Sequence, residues 1–327
     1  MNTTVSRRTA LLAGLGAASL AGIRPARAAG YPERPVKIIV PFAPGGPTDL
    51  IARVVAGHLG EMMGGSFVVE NRPGAGGNIG CAAVAHADPD GYTLLIHSSA
   101  LVVNPGLYKK VPYDVYKDFA PISEMATSPN IFFASPQSGI KSIADVVARA
   151  KADPTAISYA SAGIGTTPHL SGELLKLKAG IKMTHVPFGG GGPGMQAVLQ
   201  NTTPIGCVSL PPTLPFIASG QLIALGVTSK GRWPDLPNTP SMVELGYDGF
   251  VTDTVQAFMA TAKTPQAVLD ALVNTTIKLL NDPANHKQLV ADGFEVLNTG
   301  PTGMMKRIND EVPMWRELIA KSGIEPV

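Results

Sequence analysis

The sequence predicts an α/β fold in two lobes, and three observations lead to this prediction. Strand and helix patterns alternate along most of the 327 residues, which is typical of a largely parallel sheet covered by helices. Two segments share one pattern, an apolar strand followed by a turn of small residues and a helix start. The chain also enters a second set of strands and helices and then returns, so two crossovers and a hinge are expected. We expect lobe 1 to comprise 29–130 plus 252–327, and lobe 2 to comprise 131–251.

In lobe 1, short β-rich runs alternate with stretches of helical periodicity. After the first strand, a helix is predicted from apolar residues at helical spacing, namely Ile51, Val54, Val55 and Leu59. Residues 88–91 form a strong turn signal. The predicted strands are 36–40, 67–70 and 92–97, and a small-residue helix is predicted at 79–87.

The segment 119–134 is expected to carry the chain into lobe 2, where the scheme repeats. The predicted helices there are 143–152, 170–179 and 193–199, and the predicted strands are 158–160, 183–187, 204–209 and 223–228. A Pro-rich connector, 234–240, precedes the return. The returning part is predicted as a strand at 257–260 and helices at 265–281, 284–292 and 302–322.

Residues 1–28 have the pattern of an export signal. Arg7 and Arg8 precede an apolar stretch, 11–23, and Ala26-Arg27-Ala28 matches an A-x-A cleavage site. The paired arginines favour the twin-arginine route over an ordinary secretory signal, which stays open as the alternative. Either route leads to the periplasm. No cysteine stands at the cleavage site, so we expect no lipid anchor.

Composition excludes several classes of function. Removal of residues 1–28 takes away four arginines and no acidic residue, so the formal net charge changes from +2 to −2. A chain without a basic surplus is not expected to bind nucleic acid or an anionic membrane. Cys81 and Cys207 have apolar neighbours, and we expect buried free thiols in preference to a disulfide.

The two strand-turn-helix segments, 38–49 and 157–169, indicate that the chain binds an anion. Each turn exposes backbone N–H groups at the positive end of a helix, which suits a carboxylate or a phosphate. Two such turns in one exported chain suggest two lobes that close on a small anion. Binding is therefore favoured over catalysis.

Motifs for catalysis and cofactors fail on spacing or are absent. The glycine run 74–80 lacks the glycine that a dinucleotide-binding G-x-G-x-x-G would need at Ile79. The run 189–192 has no following Lys-Ser/Thr, so it is not a phosphate loop of that type; it is either flexible or lets the backbone approach a ligand. No H-E-x-x-H, Cys/His cluster or G-x-S-x-G occurs, so we expect no metal, no cofactor and no catalysis. Ser161 has no partner base that the sequence identifies.

Two titratable residues stand at the predicted helix starts. Asp49 is predicted to be an N-cap or first-turn acid, where it would repel an anion unless it accepted a hydrogen bond from an amino group or a water. His169 is expected to bond neighbouring backbone, with ligand contact as the alternative.

Several longer motifs follow one another along the chain in a recognisable order. They are 41–49 with Arg53, 68–77, 89–94, 161–170 with Glu173, 185–188, 225–229 with Arg232, and 244–246. These motifs resemble those of one family, the Bug-type periplasmic solute-binding receptors of tripartite tricarboxylate transporters. The resemblance covers essentially all of the mature chain.

The resemblance implies a two-lobed periplasmic binding protein fold with two crossovers and no catalysis. It also implies that backbone amides and ordered waters of the two turns hold a small organic carboxylate, which a monomeric receptor delivers to a membrane permease. The ligand-contact residues it implies are Phe42, Ala43, Pro44, Gly45, Gly46, Pro47, Thr48, Asp49, Ser98, Ser99, Ser161, Gly163, Gly165, Thr166, Thr167, His169, Pro187, Phe188, Gly189 and Val255.

Four positions depart from the family pattern, and they are Gly189, Ala197, Pro204 and Val255. Gly189 replaces a usual basic residue and Val255 a usual Trp, so the pocket should be larger or less polar. Burial of ligand carbon contributes about 25 cal/mol per Å². We therefore expect one carboxylate and an apolar or aromatic body, contacted by Phe42, Phe188 and Val255, in preference to citrate. Alternatively, Phe188 and Val255 merely pack the hinge.

Two other functions stay open from the sequence. An exported α/β hydrolase-like enzyme would act at the same cleft, and it would need a nucleophile-base pair or a metal cluster. A ligand sensor would present the same cleft to a signalling partner instead of a permease.

Overall fold

The computed structural model describes residues 30–322 and 327. The chain divides into two compact units, Met1–Tyr31 and Pro32–Val327. The predicted signal peptide, 1–28, lies outside the described residues, and the account below concerns the second unit.

Strands and helices alternate along the second unit, which confirms the predicted α/β class. The strands are β1 (Val36–Val40), β2 (Phe67–Asn71), β3 (Thr93–Ser98), β4 (Phe119–Ala134), β5 (Ser158–Ser161), β6 (Thr184–Pro187), β7 (Ile205–Ser209), β8 (Ile223–Val227), β9 (Asp253–Thr261) and β10 (Glu295–Val296). The helices are α1 (Pro47–Met63), α2 (Asn78–Ala85), α3 (Ala100–Leu107), α4 (Ile143–Ala152), α5 (Thr167–Ala179), α6 (Gly191–Leu199), α7 (Leu214–Ala218), α8 (Gln266–Asn281), α9 (Pro283–Ala291) and α10 (Gly300–Ser322).

The strands are ordered β2-β1-β3-β9-β4-β7-β5-β6, with β8 and β10 also paired to β4. Strand β1 is parallel to β2 and β3, and β5 is parallel to β6 and β7. These two parallel groups contain the two predicted strand-turn-helix segments. Strands β4 and β9 are antiparallel to their neighbours and to each other.

The 16-residue strand β4 joins the two groups of strands. Its residues 119–129 pair with β9, and its residues 130–134 pair with β7 on one edge and β8 on the other. Separate apolar clusters pack on the two parts, one around Phe132 and Tyr159 and another around Leu95 and Met259. The exact lobe boundaries stay a prediction.

Several elements are longer in the structure than the sequence predicts. Helix α5 begins at Thr167 and not at 170, and α6 begins at Gly191 and not at 193. Both first turns contain a proline, which is compatible with the first turn because those N–H groups need no intrahelical acceptor. Strand β9 spans nine residues, Asp253–Thr261, although 257–260 was predicted.

Helix α3 is absent from the sequence prediction. It contains Pro105 and the adjacent pair Val102-Val103, which disfavour helix in isolation. Most of its residues are buried, and it packs against α10. Tertiary burial therefore overrides local propensity here.

Candidate functional site

The first predicted turn joins β1 to α1. Gly46 is the N-cap of α1, and Pro47 fills the first helical position. Gly45 has φ +84°, a conformation that glycine adopts without strain. The first-turn N–H groups of Thr48 and Asp49 have no intrahelical acceptor and lie at the positive end of a 17-residue helix.

The Asp49 carboxylate stabilises this turn from within. It accepts hydrogen bonds from Gly45 N–H (3.0 Å), from Asn71 Nδ2 (2.9 Å) and from the Arg53 guanidinium (2.9 and 3.0 Å). Burial raises the pKa of Asp49, but the hydrogen bonds from Arg53, Gly45 and Asn71 outweigh burial and lower the pKa below its ordinary value. Asp49 is thus a first-turn acid whose charge Arg53 compensates, so it need not repel an anion nearby.

The second predicted turn joins β5 to α5. Thr166 is the N-cap of α5, and its hydroxyl donates to Gly163 O at 2.7 Å. Gly163 has φ +123°, and a Cβ there would lie 2.9 Å from Phe188 O. Gly165, with φ +85°, packs against the Asn104 side chain in the same way. The positive φ and the close packing together require glycine at both positions.

Ser161 has a partner base that the sequence did not reveal. Its Oγ lies 2.6 Å from His185 Nε2 and accepts a hydrogen bond from Gly163 N–H at 3.1 Å. His185 is on β6, which runs parallel to β5 in the register Tyr159↔His185. The sequence could not identify this partner, because strand pairing joins residues 24 positions apart.

Two imidazole rings and a phenol are stacked behind this turn. His169 and His185 have ring centroids 4.4 Å apart, and Tyr159 lies 4.8 Å from His185. Burial lowers the pKa of His169, and burial with the neighbouring His169 lowers the pKa of His185 to about 3. Both rings are neutral at pH 7 and supply no cation. His169 Nδ1 accepts from Gly165 N–H at 3.4 Å, which is the predicted bond to neighbouring backbone.

The glycine run 189–192 packs directly against the first turn. Gly189 O accepts a hydrogen bond from Ala43 N–H at 2.8 Å. A Cβ on Gly192 would lie 2.5 Å from Pro44 O, and a Cβ on Gly190 would lie 3.0 Å from Ala43 N. The run thus contacts the opposing turn, and its approach to a ligand stays a prediction.

These turns enclose a small cavity at the carboxyl ends of the strands. Its volume is about 20 Å³, and it is lined by Phe42, Gly46, Pro47, Thr48, Ser98, Ala162, Thr166, Pro168, Gly191, Ser209 and Thr254. The starts of α1, α5 and α6 all contribute to the lining, and among the described residues no charged side chain does. The cavity thus combines three helix N-termini with side-chain hydroxyls.

Three larger crevices lie around the cavity. One, of about 180 Å³, lies between the segments 41–42, 74–77 and 162–164 and is also lined by Phe188. A groove of about 710 Å³ lies between α5 and α10, and another of about 680 Å³ lies beside α1 and α6. Phe42 and Ala162 line both the cavity and the 180 Å³ crevice, so the two spaces are adjacent.

The predicted site residues fall into three sets. Those lining the cavity are Phe42, Gly46, Pro47, Thr48, Ser98 and Thr166. Those lining the surrounding crevices are Pro44, Gly45, Ser99, Gly163, Thr167, Pro187, Phe188 and Gly189. Those lining none of these spaces are Ala43, Asp49, Ser161, Gly165, His169 and Val255. Contact of any of them with a ligand stays a prediction.

Sequence reasoning missed five residues that line the cavity, which are Ala162, Pro168, Gly191, Ser209 and Thr254. Thr254 and Ser209 come from strands that neighbour β4, and the sequence does not show which strands are adjacent. Val255 faces away from its neighbour Thr254, because successive strand residues point to opposite faces. Its N–H donates to Ser99 Oγ at 2.8 Å.

A buried network of hydroxyls and one carboxamide connects the second turn to the long strands. Thr167 Oγ1 lies 2.6 Å from Thr254 Oγ1, which donates to Asn130 Oδ1 at 2.9 Å. Asn130 Nδ2 donates to Ser171 and Thr252 hydroxyls, both at 3.2 Å. The network thus connects α5 with β4, with β9 and with the segment that precedes β9. Movement of one of these elements is expected to strain the others.

Within residues 30–322 and 327, no group of three or more His, Cys, Asp or Glu side chains could hold a metal ion. In the same part of the chain, no helix has both the length and the apolar character that crossing a membrane requires.

Cys81 and Cys207 are buried free thiols, as expected.

Comparison with known proteins decides the family. The model described as "Tripartite tricarboxylate transporter family receptor" matches residues 51–324. The chain belongs to this receptor family. Protein BugT of Bordetella pertussis (strain Tohama I) is 35% identical over 319 residues, which cover 96% of this chain and 98% of BugT.

Solved structures agree with this membership. The periplasmic binding protein BugD is 37% identical and has a TM-score of 0.86, over 90% of this chain and 99% of BugD. R. palustris Rpa4515, solved with adipate, is 32% identical and has a TM-score of 0.87, over 91% of this chain and all of that protein. The Bug-type resemblance and the periplasmic binding protein fold expected from the sequence are thereby confirmed.

Proposed function

We propose that this family receptor binds a small organic carboxylate in the cavity between its three helix starts and delivers it to a membrane permease. The protein acts in the periplasm as a monomer and catalyses no reaction. The relative Rpa4515 was solved with adipate, which carries a carboxylate at each end. A carboxylate group has the chemistry that this site suits.

The convergence of the starts of α1, α5 and α6 on one uncharged cavity is the observation that carries this proposal. Each start presents unpaired N–H groups and a partial positive charge, so together they favour an anion. Hydroxyls of Thr48 and Ser98 add further donors. A carboxylate needs such donors because the mature chain has no positive net charge to attract it.

The ligand enters by separation of the opposed turns. A cavity of about 20 Å³ has room for about one water and is too small for an organic acid. The Ala43–Gly189 hydrogen bond and the glycine packing around it must therefore open. Bending of the long strands β4 and β9, which join the two strand groups, would provide a hinge.

A single carboxylate suits the cavity better than two. Among the described lining residues there is no Lys, Arg or His, so a second carboxylate would be buried without an opposite charge. Phe42, Pro47 and Pro168 offer apolar surface to the remaining part of the ligand. We keep the one-carboxylate expectation from the sequence and move the apolar contacts from Val255 to these residues.

The test is a thermal-shift screen of mono-, di- and tricarboxylates against protein purified without refolding, followed by calorimetry of each acid that raises Tm. A ligand at 100 times its Kd stabilises the folded state by about 2.7 kcal/mol, which is a shift of several degrees. Stabilisation by at least one acid, with one site per chain, is expected. Stabilisation by none of them, or only by non-anionic solutes, would contradict the proposal.

The Ser161–His185 pair is the observation that favours the alternative, a hydrolase. Two features argue against it. Ser161 is fully buried, and its Oγ already accepts from Gly163 N–H. Glu173, the nearest acid in the stack, bonds Tyr159 and Lys176 instead of orienting His185. Turnover of p-nitrophenyl esters that is lost in Ser161→Ala would support the hydrolase; no turnover supports the receptor.

Export to the periplasm is proposed from the predicted signal peptide. We expect the mature N-terminus within a residue or two of Ala29. Intact mass spectrometry of a periplasmic extract measures this, and recovery of the full-length chain from the cytoplasm alone would contradict it.

A further inference from the structure

Gln256, in the middle of β9, is a fully buried polar side chain, and neither its Nε2 nor its Oε1 has a hydrogen-bond partner among the described residues. A carboxamide buried in this way destabilises the fold unless some group bonds it. A partner is therefore expected in the functional state of the receptor.

The position of Gln256 shows where that partner would be. It pairs across the sheet with Ser98 of β3 and lies two residues from Thr254 on its own strand. Side chains at these positions share one face of the sheet. Ser98 and Thr254 both line the cavity, and Gln256 neighbours both of them without lining the cavity itself. On its other side Gln256 pairs with Ala126, which has no polar side-chain atom.

The chemistry of a carboxamide indicates the ligand group. Gln256 offers two donors at Nε2 and an acceptor at Oε1. A second carboxylate accepts but does not donate, so it would leave Oε1 unpaired, and its charge would have no cation among the described lining residues. A hydroxyl both donates and accepts, and it needs no counter-charge.

We propose that Gln256 is a specificity-determining residue that bonds a hydroxyl group on a ligand whose single carboxylate lies at the helix starts. The substrate class is then a hydroxy monocarboxylic acid. This inference rests on the proposed function, because it assumes that a carboxylate occupies the cavity.

The first test compares acids that differ by one hydroxyl. Calorimetry measures Kd for butyrate against 3- and 4-hydroxybutyrate, and for benzoate against 4-hydroxybenzoate, with succinate and adipate as dicarboxylates. In the wild type, at least one hydroxylated acid should bind at least about tenfold more tightly than its parent acid. In Gln256→Met, which has a similar volume but no donor, the hydroxylated acid and its parent should bind equally, with the parent's affinity kept.

Thr276→Val is the matched control. Thr276 is also fully buried and has a hydroxyl without a partner among the described residues, but it lies on α8 and outside the cavity lining. The control should keep the preference for the hydroxylated acid. Equal binding of both members of every pair by the wild type, or an unchanged preference in Gln256→Met, would overturn the role of Gln256.

A second measurement does not depend on how well Gln256→Met folds. The side-chain NH₂ resonance of Gln256, assigned by its absence in Gln256→Glu, should shift on addition of the hydroxylated acid and less on addition of its parent. A resonance that does not move while the acid binds would show a structural glutamine or one bonded to water, and would overturn the inference. Binding of no carboxylate at all would overturn the proposed function itself.

Discussion

Asp49 shows how one side chain shapes the first turn while its own charge is compensated by hydrogen bonds within the cluster. Its carboxylate accepts four hydrogen bonds, from Gly45, Asn71 and Arg53, while only 4% of its side chain is exposed. Asn71 also donates to Phe42 O at 2.9 Å, so the cluster fixes the residue that forms one wall of the cavity.

Replacement of Asp49 by Asn should lower the free energy of unfolding by about 1–3 kcal/mol at pH 7, because the charged hydrogen bonds to Arg53 are lost. The pKa of Asp49 is lowered in the folded state, so its contribution is present above the ordinary carboxyl pKa and disappears as the pH falls through the folded value. Urea unfolding at pH 7 and at acidic pH measures both effects. The control is Asp310→Asn, because Asp310 forms an exposed ion pair with Lys306. This variant should lower the free energy of unfolding by less than about 1 kcal/mol. An equal loss for both variants at pH 7 would contradict the role of Asp49.

His97 is a buried imidazole that stays neutral in the folded protein. Its Nδ1 lies 2.9 Å from Ser98 O, its Nε2 has no partner among the described residues, and its ring meets Phe42 edge-on at 5.3 Å. Burial lowers the pKa of His97 from 6.5 to about 4. The unfolded chain therefore binds a proton between these values that the folded chain does not.

The stability of the wild type should fall as the pH drops below 6.5, and His97 alone should contribute a slope of up to about 1.4 kcal/mol per pH unit. Between pH 6 and pH 4.5, the free energy of unfolding of His97→Gln should therefore fall less steeply with decreasing pH than that of the wild type. This holds whatever the change in stability at pH 7. Unfolding free energies at four pH values test this. Parallel curves for the wild type and the variant would contradict it.

The start of α5, together with strands β4 and β9, forms a unit held by buried hydroxyls. Thr254 belongs to both the cavity lining and the network, since its Oγ1 contacts Thr167 and Asn130. A substitution of Thr254 is therefore expected to change both the stability of the fold and the binding of a ligand.

Thr254→Val should lower the free energy of unfolding by about 1–3 kcal/mol, because Asn130 Oδ1 would keep only the long 3.5 Å bond from Thr167. Thr276→Val is the matched control, since that buried hydroxyl has no partner among the described residues and its loss should be neutral or stabilising. Chemical denaturation measures both variants. A cost for Thr276→Val as large as for Thr254→Val would mean that packing, and not hydrogen bonding, determines the effect.

At the scale of the molecule, the turn before α1 and the glycine run 189–192 are in contact. Glycines meet from both sides of this contact: a Cβ on Gly46 would lie 3.3 Å from Gly191 N. Function by opening and closing requires that this contact re-form around the ligand. A side chain at this position should therefore hinder closure without affecting either strand group.

Gly46→Val should weaken binding of the best carboxylate from the screen by at least about tenfold, or roughly 1.4 kcal/mol, while the fold persists. Gly163→Val should do the same through strain at φ +123° and contact with Phe188 O. Gly57→Ala, in the middle of α1 with no atom within 4 Å of the added Cβ, is the control and should bind normally. Calorimetry beside a thermal melt decides; unchanged affinity in both valine variants would place the ligand elsewhere.

The sequence alone determined the fold class, most elements and the family. Local patterns suffice for the fold class and the elements, because apolar periodicity, turn residues and helix starts are encoded within about ten neighbouring residues. The two strand-turn-helix segments were recognised for the same reason, and six of the predicted residues line the cavity. The family was indicated by the longer motifs that resemble it.

Only the tertiary structure decided which residues meet. Strand order brings Ser209 and Thr254 to the cavity and His185 to Ser161, and no local pattern encodes that order. Helix α3 forms against its own propensity because packing on α10 buries it. Thr254 lines the cavity and Val255 does not, and the sequence could not show this, because the face of a returning strand depends on its register with strands more than 100 residues away.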